Sequence, residues 1–237
     1  MIPPGTRVTS TPRPGRAEPS NRYDDLAATF FDLAHVEEPD KVRLLVAGAG
    51  DGREALAIAR FCPGVTAIEP NMSGVVDEAR SIVQPGDVTA LRFDDGAFDV
   101  VYCYHVLEHV PDCAAALSEM HRVLRPDGAL YIGVPNKRRL FAYVCSSDNS
   151  LWQKISWNLK DLGARLAGRF ENRYGAHAGF TSEELRTLLE QQFGRAEDVT
   201  RDYYMRKWHG SLAVRTVANL RSLSRFMWPS IYFLCRK

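Results

Sequence analysis

Three glycines at alternate positions, Gly48, Gly50 and Gly52, close the apolar run Leu44-Leu45-Val46-Ala47, and the helix-forming stretch Arg53-Glu54-Ala55-Leu56-Ala57-Ile58-Ala59 follows at once. A strand runs into a bend and the bend into a helix. Residues without a Cβ accept positive φ, so a ligand can lie directly against the main chain around Ala49 and Gly50. The unbonded amides at the helix start favour an anionic or polar group there. A dinucleotide fingerprint needs its third glycine one residue later, where this chain has Arg53, whose side chain would crowd a pyrophosphate. That disfavours a nucleotide-dependent oxidoreductase. A tight turn with no ligand is the plain alternative. A second acidic signal follows about twenty residues on, where Val65-Thr66-Ala67-Ile68 ends in Glu69-Pro70-Asn71. A carboxylate at the end of a second parallel strand can accept both hydroxyls of a ribose.

Further motifs continue in order: Gly86-Asp87-Val88-Thr89-Ala90-Leu91-Arg92-Phe93, then Phe98-Asp99-Val100-Val101-Tyr102-Cys103-Tyr104-His105-Val106-Leu107-Glu108-His109-Val110, then Glu119-Met120-His121-Arg122-Val123-Leu124-Arg125-Pro126-Asp127-Gly128. With the glycine bend and Glu69, they make residues 41–136 resemble the class I methyltransferases that use S-adenosylmethionine, in their broad small-molecule (type 11-like) branch. Ordered motifs at the right spacing are more specific than any one of them. The resemblance implies that Gly48, Ala49, Gly50, Gly52, Glu69, Pro70, Asp87, Val88 and Tyr104 bind the cofactor. Asp87 would receive the adenine amino group and Val88 would pack on the ring. Two positions depart from the family. Val46 stands where an acid normally helps hold the turn and the amino-acid end of the cofactor, and Asp127 stands where glycine is usual.

The reaction class follows from that cofactor. A sulfonium methyl is already activated, so transfer needs mainly a nucleophile held at near-attack distance, and a hydroxyl nucleophile also needs a base. His105 leaves the fourth strand where the resemblance places the reactive methyl, and is the first candidate base. Its alternative is a satisfied histidine that only shapes the pocket. His177, in Tyr174-Gly175-Ala176-His177-Ala178-Gly179-Phe180, is the second catalytic candidate; an ordinary loop histidine is its alternative. On a helix, His105, Glu108 and His109 would share one face as metal ligands. Methyltransferases of ubiquinone biosynthesis look similar here, with an acid in place of His105, and can use a divalent ion. The Glu-His-Val run also occurs in metal-free relatives, so hydrogen-bonded packing is the reading adopted and no metal is expected.

These residues need an α/β scaffold. The alternation of strands and helices from Lys41 to about Val134 implies parallel strands with right-handed crossovers. The expected fold is a Rossmann-like, doubly wound, seven-stranded and mostly parallel sheet with an antiparallel last strand and an inserted helical cap. The sequence predicts helices over residues 23–36, 52–61, 71–83, 112–124 and 211–226, with another beginning at a Thr181–Glu184 capping box. It predicts strand five over 129–134 and later strands over 196–200 and 229–235. Residues 1–22, rich in Pro and Arg, read as a disordered tail, and 23–237 as one methyltransferase domain.

Residues 137–180 read as the inserted, acceptor-binding segment. Leu151, Ile155, Leu159, Leu162, Leu166 and Phe170 recur at helical spacing, while Lys154, Lys160, Arg165 and Arg169 fall largely elsewhere. Phe141, Tyr143, Trp152 and Trp157 are expected to wall a pocket. Lys137, Arg138, Arg139, Arg165 and Arg169 are expected to meet phosphate or carboxylate. A lid with a solvated outer face is the plain reading of the helix. An anionic membrane surface, giving access to a lipid-linked glycan, and a soluble anionic acceptor such as a nucleotide sugar compete with it.

The 237 residues suffice for one good core, and the net charge of +1 gives no field to draw nucleic acid. The cysteines, Cys62, Cys103, Cys113, Cys145 and Cys235, are odd in number and lack a C-x-x-C pair. That argues against a disulfide framework or thiolate zinc site and fits a reducing cytoplasm. The expected activity is transfer of a methyl group from S-adenosylmethionine to a small-molecule, glycan or lipid-linked acceptor, with oxygen favoured as the accepting atom. A non-catalytic adaptor on the same fold is the alternative, motivated by Val46. The sequence gives no oligomeric state.

Overall fold

The computed structural model describes residues 22–140, 150–172 and 177–237. The stretch expected to form a tail falls outside the described residues up to position 21, as do Phe141, Tyr143 and Cys145. Helix α1 (Arg22–Leu33) leads into strand β1 (Leu44–Ala47), helix α2 (Arg53–Ala59) and strands β2 (Val65–Glu69), β3 (Val83–Pro85) and β4 (Phe98–Tyr104). Helix α3 (Cys113–Val123), strand β5 (Leu124–Pro135), helices α4 (Leu151–Leu166) and α5 (Ser182–Phe193) and strand β6 (Ala196–Asp198) come next. Helices α6 (Thr200–Lys207), α7 (Leu212–Asn219) and α8 (Arg221–Met227) precede strand β7 (Ser230–Arg236).

The seven strands form one sheet in the order β3-β2-β1-β4-β5-β7-β6. β1 pairs in parallel with β2 and β4, and β4 with β5, whereas β7 runs antiparallel to both β5 and β6. This is the expected doubly wound architecture. Side chains alternate between two covered faces, as buried strands require. Leu44, Val46, Val100, Tyr102, Ala129, Tyr131 and Tyr232 face one core with α1, α2 and α6. Leu45, Ala47, Val101, Cys103, Leu130, Ile132 and Phe233 face the other, with α3 and α5. Helix α1 buries Phe30, Leu33 and Ala34: Phe30 packs edge-on against Tyr102 at 4.8 Å and lies 5.2 Å from Tyr131. Thr181 caps α5 through a complete capping box with Glu184.

Several predicted elements differ. No helix spans 71–83; two short 3-10 turns, Met72–Gly74 and Asp77–Ala79, occupy it, and its last residue opens β3. Val75, Ala79 and Val83 are all buried at four-residue spacing, which imitates a helix. Asn71 Oδ1 instead accepts both the amide and the hydroxyl of Ser73, closing a local turn, and the following Val75 and Val76 are extended. The single helix expected over 211–226 is two, broken at Leu220, and the short α6 precedes them. Strand β5 starts at Leu124, and Asp127 takes a left-handed φ of 63°, so it meets the backbone demand that glycine meets in the related family. Among the described residues no helix is long and apolar enough to cross a membrane.

Candidate functional site

The chemistry collects beyond the carboxyl ends of β1, β2 and β4, where ligands of open parallel sheets lie. Gly48 and Gly50 both have positive φ, 83° and 57°. A Cβ on Gly48 would sit 2.4 Å from Val106, so packing and backbone both require glycine there. A Cβ on Gly50 would meet nothing within 4 Å. The bend is therefore open on the side where a ligand would approach. The amides of Gly48 and Ala49 donate to the Ile68 carbonyl and fix the bend to β2. The Gly50 amide donates to Glu69 Oε2 at 2.9 Å, and the Asn71 amide to Oε1 at 3.2 Å. Each carboxylate oxygen thus holds the backbone with one lone pair and keeps another for a hydroxyl.

One cavity of about 1050 Å³ joins these parts. Gly48, Ala49, Gly50, Glu69, Pro70, Asp87, Val88, Tyr104 and His105 all line it. Asp87 accepts the Thr89 amide and hydroxyl, each at 2.8 Å, and these bonds lower its pKa. Tyr104 shares a hydrogen bond with Tyr232, and burial raises its pKa, so the phenol stays protonated. Gly52 does not line the cavity; it caps α2 with a φ of 85°. Tyr23, Asp51, Glu54, His109, Val110, Pro111, Asp112 and Ala115 also line it, though the sequence analysis assigned them no cofactor role. Tyr23 was legible only as part of the helix predicted over 23–36, and the loop after β4 only as a whole.

His105 has a left-handed φ of 54°, an uncommon conformation for a residue with a side chain. Its amide donates to the Gly133 carbonyl and its Nε2 lies 3.1 Å from Ser230 Oγ. Its Nδ1 lies 3.9 Å from Glu108 Oε1. The side chain is 40% exposed, and desolvation of the part packed against the crevice wall, then the charges of Arg139, His177 and His109, lower its pKa from the ordinary value, which favours the neutral ring. Glu108 is buried, both its oxygens lack a hydrogen-bond partner, and burial pushes its pKa up to about 7.

His177 does not line the cavity. It sits at the rim with its ring edge-on to His109, centroids 4.6 Å apart. The helical face that would align His105, Glu108 and His109 does not form, because Leu107–His109 is a single 3-10 turn. His177 instead joins Glu108 and His109, with donor atoms within 4.8 Å of one another. Ligands of one ion bonded at about 2.1 Å lie roughly 3–3.5 Å apart, so these side chains would have to draw closer to hold one.

Four of the basic residues expected to meet an anionic acceptor, Lys137, Arg138, Arg139 and Arg165, are otherwise engaged. Arg139 is buried, pairs with Asp161 Oδ2 at 2.9 Å and donates to the carbonyls of Asn136, His177 and Ala178. Lys137 and Arg138 pair with Glu184 and Glu183 on α5. Arg165 stacks on Phe170 at 3.8 Å. Trp152, expected to wall the pocket, is 79% exposed and does not line the cavity, nor does Trp157. On α4, Leu151, Ile155, Leu159, Leu162 and Leu166 are exposed, so the apolar row faces outward.

A family model described as a methyltransferase domain matches residues 45–132. An uncharacterized methyltransferase of Mycobacterium sp. is 34% identical over 133 residues, 52% of this chain and 53% of that protein. The ubiquinone biosynthesis O-methyltransferase of Pseudomonas aeruginosa is 33% identical over 102 residues, 42% of this chain and 40% of that protein. The chain thus spans about half, or less, of the length of these curated relatives. A crystal structure of the Burkholderia thailandensis 1,6-didemethyltoxoflavin-N1-methyltransferase, holding S-adenosylhomocysteine, superposes with a TM-score of 0.51 at 19% identity, covering 91% of this chain and 78% of that one.

Proposed function

The chain belongs to the class I S-adenosylmethionine-dependent methyltransferases, and from that premise we propose that it moves a methyl group to a hydroxyl of a small, amphiphilic acceptor. The observation that carries this reading is the open glycine bend hung from Glu69, sharing one cavity with Asp87 and Val88. The parts fit the donor: an unobstructed backbone for the adenosyl group, a carboxylate with spare lone pairs for the ribose, and Val88 against the ring. Bound, S-adenosylmethionine supplies an activated methyl. This chain's residues would do the rest. The crevice would hold the acceptor in line and keep water out. His105, neutral and braced by Ser230, would take the hydroxyl proton, and the nearby Glu108 carboxylate would favour the resulting imidazolium.

The outward apolar row of α4 supports an acceptor presented at a lipid surface. Lys154 and Lys160 lie on the same helix, whose one acid, Asp161, is taken by Arg139. A basic amphipathic helix of this kind can rest in the headgroup region of an anionic membrane. The pairing of Lys137, Arg138 and Arg139 weighs against the nucleotide-sugar alternative.

Thermal denaturation with S-adenosylhomocysteine and with NAD tests the donor. A rise in melting temperature with the first alone is expected, and no shift with either would favour the adaptor reading. Val46 motivates that reading: it is 1% exposed in the core and offers no charge to the cofactor. Hydroxylated lipids and sugars screened with labelled methyl donor would identify the acceptor.

A further inference from the structure

The strand directions bring two connections to one edge of the sheet. β5 ends at Pro135, and the inserted segment leaves from there. β7 runs antiparallel to both β5 and β6, so residues 199–229, which join β6 to β7, turn at the same edge. The crevice opens at this edge, beyond the carboxyl ends of the parallel strands. Both connections are fastened to it. Arg139 holds Asp161 of α4 and, at 3.2 Å, the carbonyl of His177 at the rim. Ser230, just past α8, lies 3.1 Å from His105. Between the two connections, the Leu140 amide donates to the Phe226 carbonyl of α8 at 2.8 Å.

Exposed apolar side chains gather on these two segments. Among the described residues eleven large ones are exposed, and ten are Leu140, six on α4, and Leu212, Leu220 and Met227 around α7 and α8. A surface of this kind marks a binding face. The exposed charges beside it are cationic: Lys160, Arg169, Arg215 and Arg225. Helices α7 and α8 hold no acid, and the one acid of α4 is held by Arg139. A second copy of the chain would bring the same charges and be repelled. An anionic leaflet accepts both the apolar and the cationic groups. Resting on the lipid-surface reading above, we propose that α7 and α8 form a second leg beside α4, and that the two legs seat this edge of the sheet on anionic phospholipid with the crevice opening onto it. The acceptor is then an amphiphile drawn from the leaflet.

Co-sedimentation with vesicles of phosphatidylglycerol and phosphatidylcholine tests the second leg with α4 left intact. Arg215→Gln with Arg225→Gln should weaken binding by about tenfold or more. Leu212→Ser should weaken it by about fivefold or more. Unchanged melting temperatures would show that both variants are folded. Undiminished binding by both variants overturns the second leg and leaves α4 as the anchor, with the lipid-surface reading standing. Wild-type protein that stays in the supernatant refutes that reading, and this proposal with it. Dimers in sedimentation velocity without lipid, abolished by Leu212→Ser, would assign the face to a second copy and also overturn the proposal.

Discussion

Glu69 Oε2 accepts the amide of Gly50 at 2.9 Å, across 19 residues of sequence, so one carboxylate both sets the bend and faces the crevice. Glu69→Ala should therefore cost cofactor affinity twice, through the ribose and through a loosened bend. A loss of about 1–3 kcal/mol in binding S-adenosylhomocysteine is expected by calorimetry. An unchanged affinity would refute this placement of the ribose.

His105 and the cofactor are separable. His105→Ala should slow turnover by about two orders of magnitude or more while leaving cofactor affinity nearly unchanged. Because its surroundings hold the imidazole neutral, the wild-type rate should not fall near pH 6.5 through protonation of His105. An unaffected rate in the variant would leave this ring as pocket wall only.

Glu108 makes the fold sensitive to alkali. Its folded pKa, pushed up to about 7, lies above the ordinary value of 4.5, so the native state holds this proton more tightly than the unfolded chain does. That contribution is complete below about pH 4.5 and is lost as pH rises through about 7. The loss is on the order of 3 kcal/mol. Glu108→Gln should raise the melting temperature relative to wild type more at about pH 8.5 than at about pH 5, read by scanning calorimetry. A gap that does not widen with pH would mean that the carboxylate gains a partner in solution.

Arg139 ties the inserted segment to the sheet. Arg139→Met leaves Asp161 and the carbonyls of His177 and Ala178 without their donor, at a cost of about 3 kcal/mol or more. Cleavage by a protease should then concentrate in residues 150–172. Arg139→Lys should rescue little, since a lysine cannot match the guanidinium fork.

The apolar row of α4 predicts sedimentation with vesicles. Binding to a mixture of phosphatidylglycerol and phosphatidylcholine should exceed binding to phosphatidylcholine alone. Ile155→Ser with Leu159→Ser should weaken it by about tenfold or more, since each large apolar side chain contributes about 1.5–3 kcal/mol when buried. Wild-type protein that stays in the supernatant would rule out the lipid surface.

The central strands and the residues that line the crevice beyond β1 and β2 were legible because their signals are local. Apolar runs meeting glycines, and acids at strand ends, carry their own spacing. Contacts between distant segments were not. His177 reaches His109 only because the chain returns after α4, and Arg139 turns inward because Asp161 and two carbonyls wait there. Helix α6 was missed because only Thr200, Tyr203 and Tyr204 are buried, too few for a periodic signal. The 71–83 error has the opposite cause: a true burial spacing of four arose from turns. The outward row on α4 was read correctly as periodic, but period alone does not say which side faces the protein.

Ser230, which steadies His105, opens the last strand, 125 residues downstream of the histidine it touches. During synthesis the glycine bend exists long before its imidazole has anything to lean on. The imidazole gains its support only when β7 slots between β5 and β6, so the two halves of the crevice depend on segments made far apart in time.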